Sequence, residues 1–241
     1  MPRFYCPQPL AAGAVIDLPD AVAHHVYVVR LQPGAELCLF NGEGGEYVAR
    51  LASVDKRRAS AEVLAFVARD AELPYQLTLA QALPESAKMD WIVEKAVEMG
   101  VGCIVPLAAQ RCVVRLSPER AEKRHVHWHA IIASATEQCG RTRLARLAPL
   151  EDYSGWIAQQ DMRKRILFSP RAGQSLASWA RHQPPQALTI MIGPEGGFSQ
   201  QEEDMALAGG ALALSLGERV LRTETAGLAA VAGLNAIWSA A

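Results

Sequence analysis

The sequence predicts an α/β chain, in which a parallel sheet with crossover helices starts near residue 77 and follows a small β-domain over residues 1–68. Three observations lead there. Beyond Gln76, short apolar runs alternate with helical stretches, the signature of strands joined by helices. Before residue 68 the apolar runs are separated by turn residues instead. Between the two, Arg69-Asp70-Ala71-Glu72-Leu73-Pro74 is polar and ends in proline, so residues 69–76 read as a linker and 77–241 as the second domain.

In the β-domain, Val26-Tyr27-Val28-Val29, Glu36-Leu37-Cys38-Leu39-Phe40 and Tyr47-Val48-Ala49-Arg50-Leu51 read as strands, being rich in residues that fit a pleated surface. Asn41-Gly42-Glu43-Gly44-Gly45 joins the last two. Its residues tolerate positive φ, which suits a hairpin turn rather than a phosphate loop.

In the second domain, 76–82, 102–107, 165–169, 188–192 and 211–216 read as strands. A helix over 86–99 places Met89, Ile92, Val93 and Ala96 on one face and stops at Gly100, which suits the left-handed residue after a helix. Ser117-Pro118 starts another, because serine can cap and proline's missing N–H is not needed there. Its stripe of Ala121, His125, Trp128, Ile132, Ala135 and Cys139 runs to Gly140. Arg120, Lys123, Arg124 and His127 fall largely on other faces.

Bulk properties exclude several classes. The 241 residues carry a formal net charge of −1, so a nucleic-acid partner would have to be met by a local patch. No apolar run approaches the roughly 18 residues of a membrane span, and the start lacks the apolar core of a signal peptide, which predicts a cytoplasmic protein without membrane contact. The five cysteines show no CxxC spacing and predict free thiols rather than a disulfide framework or zinc site. His125-His127-His129 puts only His125 and His129 on one face, with no carboxylate or cysteine at ligand spacing, so no metal is predicted.

Chemistry concentrates in three other places. The apolar run Ile190-Met191-Ile192 leads into Gly193-Pro194-Glu195-Gly196-Gly197-Phe198, then Ser199 and Glu202 at capping-box spacing. A glycine loop beside a helix start lets backbone N–H groups approach a ligand, although a tight turn with a cap has the same pattern. It is not GxGxxG, which disfavours a nicotinamide-dependent oxidoreductase. Next, Leu216-Gly217-Glu218-Arg219-Val220-Leu221-Arg222-Thr223-Glu224-Thr225-Ala226 follows another strand, and Thr223 or Thr225 could cap the helix after it. Arg222 and Glu224 are placed either for a substrate or as a surface ion pair of little energy. Finally, residues 111–146 hold eight Lys or Arg against three Glu, a local +5 that suits a phosphate backbone or a solvated helix face.

These segments resemble the RsmE family of the SPOUT superfamily of RNA methyltransferases, along almost the whole chain. The resemblance is carried by Gly193 to Ser199 and Leu216 to Ala226, with support from Ile92 to Val101, Glu137-Gln138-Cys139-Gly140-Arg141 and His25 to Arg30. Cys139 stands where the family commonly has serine, and Ala145 where it has proline. The resemblance implies a PUA-like, RNA-binding β-barrel and a trefoil-knotted methyltransferase domain acting as a homodimer.

It further implies methylation of uracil N3 in 16S ribosomal RNA of the small subunit, with S-adenosylmethionine as cofactor. The cofactor would lie among three loops, at Phe168 and Ser169 before Pro170; Ile192, Gly193, Gly196 and Gly197; and Leu216, Gly217, Val220 and Leu221. An electrophilic methyl group needs orientation, and uracil N3 must lose its proton. Candidates are Glu195 or Glu224 as base and Arg222 or Arg141 to stabilise the anion. Arg141 is also a candidate to reach the partner subunit's site. Arg3, Arg30, Arg111, Arg115, Lys123 and Arg124 would bind RNA. Two alternatives are ribose 2′-O methylation and a non-catalytic RNA-binding assembly factor.

Overall fold

The computed structural model describes residues 1–85, 87–159 and 163–238. Ser86, which opens the helix predicted over 86–99, and residues 239–241 at the end of the predicted second domain lie outside the described residues. The chain forms two compact units, one of residues 1–72 with 133–144, the other of residues 73–132 with 145–241.

The first unit is built on strands β1 (Arg3–Tyr5), β2 (Val15–Asp17), β3 (Glu36–Phe40), β4 (Glu46–Val54) and β5 (Ala59–Val67), with helix α1 (Asp20–Val28). The sheet order is β1-β3-β4-β5-β2; β1 runs parallel to β3 and the other pairs are antiparallel. Leu37 to Phe40 are buried without interruption, and Leu37 and Leu39 share a core with Phe4, Leu51 and Ala61. Asn41 to Gly45 form the β3–β4 connection, where Asn41 Oδ1 accepts from Glu43 N at 3.1 Å. Gly45 has φ +69°, and a Cβ there would lie 2.3 Å from the Phe66 ring.

The segment Val26 to Val29 is a correction. It belongs to α1 and its exit, not to a strand. Val22, Ala23 and Val26 bury one helical face while Tyr27, Val28 and Val29 stay exposed. Tertiary burial at helical spacing outweighs the β preference of a valine run. The helix closes with Arg30 N donating to Tyr27 O at 3.0 Å and Leu31 N to Val26 O at 3.2 Å, the pairing that normally places glycine at the left-handed position. Arg30 occupies it with φ 59°. An L side chain there costs about 1 kcal/mol, so Arg30→Gly is expected to raise stability by about that amount, read as a higher urea midpoint at unchanged slope. A lower midpoint would refute the strain.

Residues 133–144 pack into this first unit although the sequence groups them with the second domain. Glu137 Oε1, on helix α3 (Pro118–Cys139), accepts from Tyr5 N at 2.7 Å. Burial pushes the Glu137 carboxyl up, against the pull of that hydrogen bond and of His25 and Arg3. Arg3 pairs with Glu46 and donates to Arg141 O at 3.0 Å. Contacts more than 130 residues apart in the chain leave no periodic trace in the sequence.

The second unit holds the parallel sheet: β6 (Leu77–Ala82), β7 (Cys103–Ala108), β8 (Arg146–Leu147), β9 (Glu151–Asp152), β10 (Lys164–Phe168), β11 (Leu188–Ile192) and β12 (Leu212–Leu214). The order is β12-β10-β11-β6-β7-β8, with β9 also pairing β7. Every residue of β6 and β11 is buried, as strands covered on both faces require. Helix α2 (Lys88–Glu98) buries Met89, Ile92, Val93, Ala96 and Val97, and Gly100 follows it at φ +91°. On α3, Trp128 Nε1 and a His127 ring nitrogen both reach the Asp90 carboxylate of α2 at 2.9 Å. The unit is completed by α4 (Tyr153–Ile157), α5 (Leu176–Ala180), α6 (Gln200–Ala208) and α7 (Thr223–Trp238). No helix among the described residues is long and apolar enough to cross a membrane.

After β6 the chain goes to β7 on one side of the sheet, and after β11 it goes toward β12 on the other. Neighbouring strands whose connections leave in opposite directions open a crevice at their carboxyl ends, which is where parallel sheets bind ligands.

Candidate functional site

A cavity of about 290 Å³ lies there in the second unit. Three chain segments wall it: Phe168 to Arg171 after β10, Ile192 to Phe198 after β11, and Leu216 to Leu221 after β12. Phe168, Ile192, Leu216, Val220 and Leu221 make much of the wall apolar, so polar recognition falls largely to backbone groups. All ten residues expected to hold a cofactor line this space: Phe168, Ser169, Ile192, Gly193, Gly196, Gly197, Leu216, Gly217, Val220 and Leu221.

The middle loop is held from four directions. Pro194 O accepts from Gly197 N at 2.8 Å, closing a turn. Ser199 Oγ accepts from Glu202 N at 3.2 Å and Glu202 Oε2 accepts from Ser199 N at 2.8 Å, the reciprocal cap that starts α6. Glu202 Oε1 takes Gln110 N at 2.7 Å, so one buried carboxylate ties the loop to the segment after β7. Arg111, from that segment, donates to Gly196 O at 2.9 Å and Phe198 O at 3.3 Å.

Thr223 supplies the next restraint and corrects the expectation that it or Thr225 caps α7. Its hydroxyl donates to Gly193 O at 2.6 Å and accepts from Gln81 Nε2 at 2.9 Å. The first turn of α7 is closed by Arg222 O, which receives Thr225 N and Ala226 N. A buried chain from β6 through Gln81 and Thr223 to Gly193 thus fixes the loop to the sheet. Polar Gln81 inside a largely apolar strand was a visible signal of this; its bonding partner, 142 residues away, was not.

Glu195 lines the cavity, but its carboxylate is engaged. Oε1 accepts from Lys88 Nζ at 2.6 Å and from Glu85 N at 3.1 Å. Burial alone would raise it; the Lys88 and Glu85 hydrogen bonds outweigh that and hold it below the usual carboxylate range. A depressed, doubly bonded carboxylate is a poor proton acceptor and a good anchor. Lys88, in turn raised chiefly by its bond to Glu195, also lies 3.9 Å from Glu224 Oε2. That oxygen is buried without a hydrogen bond. Glu224 and Arg222 stand at the start of α7 next to cavity residues Leu221 and Thr223, and are not themselves wall residues. Lys88 went unnoticed in the sequence, being one lysine at a helix start.

Six of the eight cations of the basic stretch fall into three groups. Arg111 and Arg115 donate to backbone carbonyls of nearby loops, Arg115 to Ala109 O and Gln110 O. Arg120, Lys123 and Arg124 stay exposed on α3. Arg141 is only 3% exposed, in a two-pronged pair with Glu72 inside the first unit, and is absent from the cavity wall. Glu72→Gln removes the counter-charge of the buried Arg141 and is expected to lower stability by about 2 kcal/mol. An unchanged denaturation midpoint would contradict that. Of the histidines, His125 reaches Leu147 O at 3.3 Å and His127 reaches Asp90. The described residues contain no cluster of three or more His, Cys, Asp or Glu suited to a metal.

Fold and site together define a ligand-binding α/β enzyme domain coupled to a small β-unit. Comparison with known proteins makes this specific. The RNA methyltransferase domain family matches residues 71–235, and the RNA methyltransferase PUA domain family matches residues 18–64. A ribosomal RNA small subunit methyltransferase E of Bacillus subtilis is 30% identical over 223 residues, covering 90% of this chain and 87% of its own. The enzyme of the same name from Mycobacterium tuberculosis is 32% identical over 244 residues, covering 95% and 89%. The crystal structure of the Neisseria gonorrhoeae enzyme bound to S-adenosyl methionine superposes with a TM-score of 0.92 at 38% identity, covering 99% of this chain and 98% of that one. The chain belongs to the RsmE family of RNA methyltransferases.

Proposed function

We propose that this RNA methyltransferase moves the methyl group of S-adenosylmethionine to N3 of a uracil in 16S ribosomal RNA, as a cytoplasmic homodimer. The observation that carries the reading is the cavity, in which three loops converge at the carboxyl ends of parallel strands, in a chain 38% identical to an enzyme that binds this cofactor. The lining fits such a ligand. Apolar walls suit an adenine ring and a methionine methylene chain, and Gly193, whose Cβ would sit 2.8 Å from Phe198 N, allows the backbone turn that shapes the pocket. Phe168, Ile192, Val220 and Leu221 would enclose the adenosine, with loop backbone groups supplying its hydrogen bonds.

The cofactor, when bound, supplies a sulfonium methyl that is already electrophilic. The chain must orient the groups, exclude water and take the N3 proton. Glu224 is the better acceptor, because its Oε2 carries no hydrogen bond whereas Glu195 Oε1 carries two. Lys88 holds both carboxylates in place. Arg222, beside Glu224 in the chain, is the cation assigned to the developing uracil anion, and alanine there should slow turnover. Arg141, locked against Glu72, acts through the structure of its own unit. Residues 1–68 form the PUA-like RNA-binding domain, residues 69–76 the linker and residues 77–241 the knotted methyltransferase domain.

Methyl transfer to small ribosomal subunits and to free RNA from cells lacking the enzyme, followed by mass spectrometry of the nucleosides, tests the reading. 3-Methyluridine is the expected product. A ribose-methylated nucleoside would replace the assignment with 2′-O transfer, and absence of transfer together with absence of cofactor binding would leave an RNA-binding factor. Light scattering of the purified protein tests the dimer.

A further inference from the structure

The turn between β4 and β5 presents Lys56, Arg57 and Arg58 consecutively, all exposed. Its backbone is held by one carboxylate, for Asp55 Oδ1 accepts from Arg57 N and Arg58 N, both at 2.8 Å, and Asp55 N donates to Arg58 O at 2.8 Å. Those backbone bonds, led by Arg57 N, hold the Asp55 carboxyl below its ordinary range. One of the two acids beside these cations is therefore occupied in shaping the turn, with the charge of Arg58 adding a smaller pull on it. With His24 and Asp20 of α1, the three side chains line a cleft of about 520 Å³.

Most other cations of this unit are engaged. Arg3 pairs with Glu46, Arg50 with Glu62 at 3.8 Å and Arg141 with Glu72, while Arg69 and Arg143 donate to Gly140 O and Glu43 O. Lys56, Arg57 and Arg58 form no ion pair among the described residues. Three cations against Asp20 and Asp55 leave the cleft net positive in a chain of net charge −1. A rigid turn also loses little freedom when its side chains meet a partner.

We propose that this turn and His24 form a docking surface for the phosphate backbone of RNA, distinct from the methyl-transfer cavity. It extends the reading of ribosomal RNA as substrate and rests on it. Charges fixed on a turn recognise phosphates irrespective of base, so the surface positions the RNA without selecting its sequence. Arg3, Arg30, Arg111, Arg115, Lys123 and Arg124 were the positions picked from the sequence. The three-residue run 56–58 was overlooked because short charged turns are common.

The test measures binding of free 16S ribosomal RNA by wild type, by Lys56→Ala/Arg57→Ala/Arg58→Ala, and by the charge-conserving Lys56→Arg/Arg57→Lys/Arg58→Lys, across a salt series. The alanine protein should bind more weakly, with the slope of log affinity against log salt reduced by about 2 to 3. The charge-conserving protein should keep the wild-type slope, and equal thermal midpoints show that all three are folded. An unchanged affinity and slope in the alanine protein, or loss in the charge-conserving one, overturns the proposal. RNA that binds with the expected slopes but receives no methyl from wild type would refute the substrate reading alone. Methylation by wild type with unaltered slopes would refute the docking surface alone.

Discussion

Gly193→Ala is expected to lower methyl transfer by about 100-fold or more and to abolish measurable S-adenosylmethionine binding, with the fold retained. A Cβ at this position would lie 2.8 Å from Phe198 N and 2.9 Å from Gly197 C, distances at which backbone must move. The loop cannot yield easily. Its two ends are fixed by Thr223 on Gly193 O and by the Ser199–Glu202 cap, and Arg111 holds the carbonyls between them. Displacing reacting groups by about 1 Å costs about two orders of magnitude in rate. Gly196→Ala gives the contrast, since its Cβ would meet only Arg111, at 3.5 Å, and the loop should keep its shape. Calorimetric titration with S-adenosylmethionine checks both. Wild-type affinity in Gly193→Ala would show that the loop does not form the binding wall.

Glu224→Gln is expected to reduce kcat by about 10² to 10⁴ while leaving cofactor affinity near its wild-type value, because it removes a proton acceptor and keeps the shape of the side chain. The pH dependence is the diagnostic. Uracil N3 loses its own proton in alkaline solution, so the deficit of the variant should shrink as pH rises, whereas a merely structural defect would persist. Glu195→Gln should behave differently. It loosens the Lys88 anchor on the cavity loop and weakens cofactor binding. The Glu195 carboxyl lies below its ordinary range, so its contribution is present above the usual carboxylate pKa and is lost only as pH falls through the depressed value. A Glu224→Gln protein with unaltered kcat at neutral pH would transfer the base role elsewhere.

The glycine loop after β11 was legible because its residues leave little choice. A buried apolar strand, three glycines and a Ser-x-x-Glu box can adopt few local structures, and Ile192 and the three glycines do line the cavity. Five of the seven strands of the parallel sheet were legible for the same reason, as were the end of α2 at Gly100 and the start of α3 at Pro118; the two-residue strands β8 and β9 were too short to show a pattern. Val26 to Val29 misled, because a run of β-branched residues is compatible with a strand, and only the burial of Val22, Ala23 and Val26 together selects the helix. The basic stretch misled differently. Its composition is real, but Arg111 and Arg115 hold loops and Arg141 holds the half-buried Glu72 carboxylate.

The sequence by itself determined the local structures that a few neighbouring residues specify: turns that need glycine, caps that need serine and glutamate, and strands buried on both faces. Only the tertiary structure decided which polar groups meet. The Gln81–Thr223–Gly193 chain, the Lys88 bridge between Glu195 and Glu224, and the Glu72–Arg141 pair join residues far apart in sequence. Such contacts depend on the order in which strands pair in the sheet. Periodicity reports only the few residues within one turn or one pleat, so which carboxylate is hydrogen-bonded and which is not becomes visible only once the chain has folded.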